Sequence, residues 1–505
     1  MINLYTTDKY KEHPLEIISS EHRLIELVQI KDLFEELPRP SALSLIIDGD
    51  GIKQPLDWHK EMPPYLLPKT MMVDDHILLG LVYMKLGNFE KAYQFLESHT
   101  SLLAEIDFIR KLQLGLEADP SQLAVETYQP YDDYRLMHNN AIVRLYATQE
   151  GQHQSPKIDY YFREAIENSP NEEYMAWSSA QYISYLLDQG KWPEARQLLS
   201  RLEKEKFSKA GKTELTYQQC QLDMRTLSPP YDQDKLSRLK DNLWSCLSYY
   251  EGEEQHVLQG LCLLDAAEIA NLTGSFAESL GYYTKAISIF SEANLPEFVY
   301  ETHLKKGKLL LSWGQKGSPQ FYKPAMEDFQ RALKLYSKED FPYVYAEIQE
   351  NLGIIYSHIP DETKKKGIWA AISSSAFKEA LNLFEPNEFP YEYARVCNHY
   401  ANALLRYPEA ILSDNQEKAL FYYDEALKIR NAETYPLERS LTLLNYLEAC
   451  WFIQQEEKEF KSKERLQDMY EKAEEVIRIQ ASDELVTQAK NHKNDLKNLD
   501  LILDS

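Results

Sequence analysis

Residues 332–342 read ALKLYSKEDFP, and three other stretches read alike: AISIFSEANLP at 286–296, ALNLFEPNEFP at 380–390 and ALKIRNAETYP at 426–436. Their first alanines, Ala286, Ala332, Ala380 and Ala426, are spaced by 46, 48 and 46 residues, and Ala473 in MYEKAEEVI follows 47 residues later. A fixed period of this size is the mark of an array of helical units that bury their apolar faces against one another. Each stretch closes one apolar-periodic segment, and its proline opens the next, as in VYAEIQENLGIIYSHI after Pro342 and EYARVCNHYANALLRY after Pro390. That periodicity predicts amphipathic helices. Proline suits a first helical position, where its missing N–H would have no partner within the helix, so Pro296, Pro342, Pro390 and Pro436 mark helix starts. Each unit is therefore a helical hairpin.

Composition agrees. The 505 residues include only 17 glycines, about half the ~7% average, and phosphate-cradling loops and tight β-hairpins consume glycine. With 55 basic against 80 acidic residues the net charge is -25, a field that repels nucleic-acid phosphates and anionic lipid headgroups. No run of about 18 apolar residues is present to span a bilayer. The N-terminal sequence MINLYTTDK lacks a basic segment followed by an apolar one, so it does not read as a secretory signal. The five cysteines are an odd number, far apart and without a C-x-x-C pair, which excludes a local disulfide framework or zinc site. A reduced, cytoplasmic chain is expected.

Within the units, small residues fall where two helices must approach closely, and there the sequence resembles the tetratricopeptide repeat (TPR). Around residues 260–289, Ala267 fills that family's small position 8, Gly274 the inter-helix turn, Phe276 and Tyr283 the aromatic positions of the second helix, and Ala286 its small position 27. Upstream, Gly80, Tyr83, Gly87, Phe89, Ala92 and Leu96 match positions 8, 11, 15, 17, 20 and 24. Ala165 with Pro170, and Gly190 with Trp192 and Ala195, continue the match, so the resemblance covers about residues 72–480. It implies an all-α fold, an α-α superhelical solenoid of helical hairpins.

The C-terminal units depart from the family's spacing in one place. From the small residue of one second helix to that of the next first helix (Ala286 to Gly307, Ala332 to Gly353, Ala380 to Ala401, Ala426 to Leu447) the interval is always 21, where the ordinary repeat has 15. Six extra residues predict longer helices around the Phe-Pro joint. Hairpin tips such as GQKGSPQFYKP and PDETKKKG vary and read as loops. Long repeats of this kind resemble those beside caspase-like CHAT peptidase domains in bacterial multidomain proteins, and no such domain follows here. The expected organisation is an N-terminal extension over 1–70, N-terminal hairpins over 71–228, the long-period array over 229–480, and a capping helix and tail over 481–505. ALSLIIDGDGIK reads as a strand into an Asp-Gly turn, making the extension a small α+β cap or an irregular segment. RTLSPPYDQD, near 225–234, reads as a long loop or hinge.

Catalytic and cofactor chemistry finds no footing. Asp48, Asp50 and Gly51 look like a calcium loop, but position twelve from Asp48 is His59, not a closing glutamate, so the stretch reads as a turn. GxGxxG and GxxxxGK[ST] are both absent. Cys397 and His399 are two apart and point to different sides of a helix, so they form no dyad. Acidic pairs sit among lysines and arginines, as solvated faces do, and the 35 tyrosines read chiefly as packing. No enzyme activity, cofactor or metal is expected.

In the TPR frame, positions 2, 5, 9 and 12–13 of the first helix face the concave groove. With Ala401 at position 8 these are Arg395, Asn398, Asn402, Leu405 and Arg406, whose polar members fall on one stripe by spacings of three, four and four. The next unit offers Leu441, Leu444 and Asn445, the previous one Glu347 and Glu350. Arginine forks and asparagine amides suit a peptide carboxylate or an extended backbone. The expectation is a non-catalytic scaffold or adaptor that binds a protein or peptide through Arg395, Asn398, Asn402, Arg406 and Asn445, with neither nucleic acid nor membrane as partner. The alternative is a sensor subunit controlling a separately encoded effector such as a CHAT-type peptidase. A hydrolase hidden in residues 1–70 lacks a nucleophile motif, and a transcription factor would need a basic helix-turn-helix that the sequence does not show.

Overall fold

The computed structural model describes every residue except 34–42, 124–128, 148–154, 361–362, 409–413, 454–460 and 504–505; the tip PDETKKKG runs across 361–362, which lie outside the described residues. These hold four strands and 22 α-helices, none long and apolar enough to cross a membrane. The chain divides into two compact units, Met1–Cys262 and Leu263–Ser505.

The N-terminal unit opens with a sheet: β1 (Ile2–Thr6), β2 (Val28–Asp32), β3 (Ser44–Asp48) and β4 (Gly51–Lys53), in the order β2-β1-β3-β4. β1 runs parallel to both neighbours and β4 antiparallel to β3. Of the two readings of the extension, the α+β one describes it. Ile2, Leu4, Leu45, Ile47 and Ile52 are fully buried in its core. The acidic stretch is the β3–β4 turn: Asp48 accepts the Asp50 N–H at 3.0 Å, and Lys53 Nζ lies 2.7 Å from Asp48 and 2.9 Å from Asp50. Lysine neutralises the pair where a cation was the alternative.

Residues 54–70 form neither helix nor strand. This loop is tied at its base, where Ile52 and Met71 exchange two backbone hydrogen bonds of 2.8 Å. Helical hairpins follow, among them Asp75–Lys85 with Phe89–Phe95, Pro130–Tyr146 with Ser155–Glu167, Glu172–Asp188 with Trp192–Leu202, and Lys209–Arg225 with Gln233–Gly252. Gly80 shows why position 8 must be small: a Cβ there would lie 2.5 Å from Leu96 Cγ. Gly87 and Gly190, at the turn position, have φ of +74° and +68°, which a Cβ disfavours.

In the C-terminal unit the hairpins are Pro296–Gln315 with Tyr322–Ala332, Pro342–His358 with Thr363–Leu383, Pro390–Leu404 with Asn415–Ile429, and Pro436–Ile453 with Lys461–Ile479. A last helix, Asp483–Leu503, packs on the final pair. The prolines sit at first helical positions, and the preceding Leu295, Phe341 and Phe389 take non-helical ψ values of 75°, 58° and 60°, as steric conflict with the proline ring requires. The joints differ from the expectation of longer helices alone. Each first helix does begin eleven residues before its small position, but the second helices stop at Ala332, Leu383 and Ile429, and most of the residues from there to the next proline form turns. Side chains nucleate two of them: Ser337 Oγ accepts from the Asp340 N–H at 3.0 Å, and Asn431 Oδ1 accepts from Glu433 and Thr434 N–H at 3.1 and 2.7 Å. Such turns compete with helix wherever Ser and Asn can bond the backbone two or three residues ahead.

The core repeats with the units. Phe329, Phe377 and Tyr423, each three residues before the second helix's alanine, are fully buried. They press on the small position of the first helix; a Cβ on Gly307 would lie 3.2 Å from the Phe329 ring, and one on Gly353 2.9 Å from Phe377. Seven residues before Ala286, Ala332, Ala380 and Ala426 lie Ser279, Ala325, Ser373 and Ala419, all fully buried. The two serines stay satisfied by donating to the carbonyls of Ala267 and Gly353 at 2.7 and 2.6 Å, which removes the cost of burying a hydroxyl.

Candidate functional site

Helix Pro390–Leu404 positions the expected binding residues. Ala394, Val396, Cys397, Tyr400, Ala401, Ala403 and Leu404 are buried, and Asn398 with them, while Arg395 and Asn402 on the same stripe are half-buried. The helix ends before Arg406, which lies exposed in the following turn with its N–H on the Ala403 carbonyl at 3.0 Å. Pro408 explains the stop, since the residue before a proline is driven out of helical conformation. The stripe thus contains three helical residues and one from a turn.

Arg395 is already engaged. Its Nε lies 3.1 Å from both oxygens of Glu350 and its Nη2 2.7 Å from one of them. His399 Nδ1 lies 2.7 Å from the other oxygen, and a carboxylate oxygen can only accept, so this nitrogen carries the proton. Glu350 is 2% exposed. Burial opposes its ionisation, yet the bonds from His399 and Arg395 outweigh burial and hold its pKa below the usual glutamate range. Burial likewise opposes the Arg395 charge, and Glu350 more than compensates. A buried carboxylate held by an arginine fork and an imidazole is a strong local tie between consecutive first helices.

The other residues show the same economy. Asn398, 8% exposed, accepts from Asn445 Nδ2 of the next unit at 3.3 Å. Asn402 Oδ1 accepts from the hydroxyl of the buried Tyr423 within its own hairpin. Leu444 is buried in the core, whereas the frame had it lining the groove. Lys308 pairs with Glu347 at 2.8 Å, and Tyr343 donates to Glu392 at 2.9 Å. Positions read from the sequence as groove-facing binding groups are largely polar rungs joining one unit to the next. Arg406 remains exposed, and beside the rungs Leu437 and Leu441 are 47% and 42% exposed. The pairing of Glu350 with Arg395 was foreseeable, because opposite charges stand at groove positions of successive units; the exposed leucines were not distinguishable from core leucines by type or period.

Burial pushes the thiols of Cys246, Cys397 and Cys450 up to about 12, so these cysteines are inert packing groups. Among the described residues no cluster of three His, Cys, Asp or Glu could hold a metal ion.

No family model matches the chain, and no curated protein sequence matches it. Among solved structures, the TPR domain of P58(IPK) aligns with 84% of this chain and 97% of its own at 14% identity and a TM-score of 0.21. Yeast Tom70 aligns with 85% of this chain and 96% of its own, at 14% identity and 0.20. A circular tandem repeat protein covers 84% of this chain and 94% of its own, at 10% and 0.16. At such scores the hairpin geometry described above has to carry the fold by itself, and it does.

Proposed function

We propose that this chain is a non-catalytic scaffold that binds an extended protein or peptide segment along the first helices of its C-terminal unit, around Arg395, Asn398, Asn402, Arg406 and Asn445. One observation carries the reading: Leu437, Leu441 and Asn445 fall four apart on one helical stripe, the two leucines are 47% and 42% exposed, and Asn445 is bonded to Asn398 across the unit boundary. Exposed leucines beside amides and an arginine offer an apolar anchor together with groups that pair with a peptide backbone or carboxylate. The inter-unit bonds keep those groups in fixed positions, and a preorganised surface loses less entropy on binding.

Full-length chain with Leu437→Glu, Leu441→Glu and Arg406→Glu substitutions, melting at the wild-type temperature, tests this by affinity capture from host lysate against wild type. A stoichiometric partner held by wild type and lost by the variant supports the reading. A partner held equally by both, or none held by wild type, refutes it. Arg395→Glu is unsuitable, because it would place a second carboxylate against buried Glu350.

A further inference from the structure

Residues 54–70, the loop tied at Ile52 and Met71, run across the first helices of the N-terminal hairpins and make there the contacts that a bound peptide would make. Asn139, fully buried on helix Pro130–Tyr146, grips the backbone of Leu66 from both sides: it accepts the Leu66 N–H at 2.9 Å and donates to the Leu66 carbonyl at 2.8 Å. Tyr131 donates to the Leu67 carbonyl at 2.9 Å, and His138 Nε2 lies 2.7 Å from the Pro64 carbonyl. None of these four bonds depends on the side chains of the loop. They fit any extended segment.

Selectivity comes from three carboxylates. Glu173 accepts from the Trp58 indole N–H at 2.7 Å, Glu214 pairs with Lys60 Nζ at 2.7 Å, and Glu105 accepts from the Tyr65 hydroxyl at 2.7 Å. Glu214 and Glu105 are 3% and 8% exposed; Gln218 donates to Glu214 at 3.1 Å and Arg135 pairs with Glu105 at 2.6 Å, and the loop's ammonium and phenol add a further donor to each buried carboxylate. Trp58 also meets Trp177 edge-on with ring centroids 5.0 Å apart, and Trp177 holds position 2 of its hairpin, a groove-facing place in the repeat frame. A connection of this length without secondary structure is uncommon unless it has a function of its own.

We propose that residues 54–70 are an intramolecular ligand that fills a peptide groove on the N-terminal hairpins. The groove's preferred occupant is an extended segment presenting an indole, an ammonium two residues on and a phenol seven residues after the indole, the pattern of Trp58, Lys60 and Tyr65. A partner segment of this kind binds by displacing the loop, and its apparent affinity in the wild-type chain falls by the fraction of molecules with the groove open.

The test uses the full chain and a fluorescent peptide of residues 54–71. A Trp58→Ala/Lys60→Ala/Leu66→Pro variant removes the indole, the ammonium and the N–H that Asn139 accepts, while leaving the groove intact. With helical content unchanged, it should bind the peptide at least tenfold more tightly than wild type by fluorescence anisotropy, and adding Asn139→Ala should abolish the gain. In the wild-type chain, the Leu66 amide should exchange its hydrogen faster than the amides of Pro130–Tyr146. A folded variant that ignores the peptide overturns the proposal, as does a variant that loses its helices or a Leu66 amide that exchanges only with global unfolding, because the segment is then a strut of the core to which Tyr65 and Leu67 belong.

Discussion

On helix Pro130–Tyr146 of the N-terminal unit, His138 and Asn139 are wholly inaccessible beneath residues 64–67. On helix Pro390–Leu404 of the C-terminal unit the Arg395 side chain keeps 26% of its surface and Arg406 is exposed. Both helices are the first of a helical hairpin. They part in how the polar groups of the outer face find partners. In one unit a loop of the chain supplies them, and in the other they bond sideways to the next helix. The same repeat thus yields a covered face or an open, laterally tied one, depending on residues that add nothing to the hairpin itself.

The largest expected effect falls on the lateral ties. Glu350→Ala leaves Arg395 without its counterion and should cost about 3–5 kcal/mol, read as a fall in the denaturant midpoint. Replacing both Glu350 and Arg395 by leucine should cost much less, and equal losses would show that the pair is not a unit. The covered face should answer to pH instead. Burial holds His138 down at about 4 from an ordinary 6.5, so the unfolded chain binds the proton first. Stability is then full above about pH 6.5 and declines as pH falls toward 4, by about 3 kcal/mol. Thermal melts of His138→Gln across that range should show a shallower decline than wild type. Glu350, with its depressed pKa, acts in a lower window: its contribution is present above the ordinary 4.5 and is lost as pH falls below it.

Asn139→Ala strips two bonds from the Leu66 backbone, a loss of about 1–3 kcal/mol for each buried group left unpaired. Amide exchange at Leu66 should accelerate while helix Glu172–Asp188 is unchanged; acceleration in both would make the loop and the helices one cooperative piece. Gly353→Ala gains about 1 kcal/mol of helix propensity but drives a methyl to 2.9 Å from Phe377, an overpacking cost of about 1–3 kcal/mol. A net destabilisation near 1 kcal/mol should appear in the melting temperature. Smallest of all, Leu441→Glu on the open face should shift stability by no more than about 0.5 kcal/mol, because Leu441 is 42% exposed.

How far the sequence could be read depends on the residue. Pro296, Pro342, Pro390 and Pro436 announced the helix starts, since a proline's geometry acts locally whatever surrounds it. Gly307, Gly353 and Ala401 announced the hairpin contacts, because only a small residue tolerates that approach. Arg395, Asn398 and Asn445 could be placed near one another by counting from the small positions, but not their bonding state, which depends on Glu350 and on side-chain geometry across a unit boundary. The grip of Asn139 on Leu66, 73 residues apart, left no sequence trace at all: an asparagine in a helix and an extended stretch of Pro, Tyr and Leu look ordinary separately.

Repetition, helix polarity and the small-against-large core were determined by the sequence itself, because period, proline and residue size act over a few neighbours and recur five times. Which polar faces are covered, which are tied and which stay open was decided by tertiary structure alone, because a hydrogen bond is specified by the meeting of two groups, and only the folded chain brings those groups together.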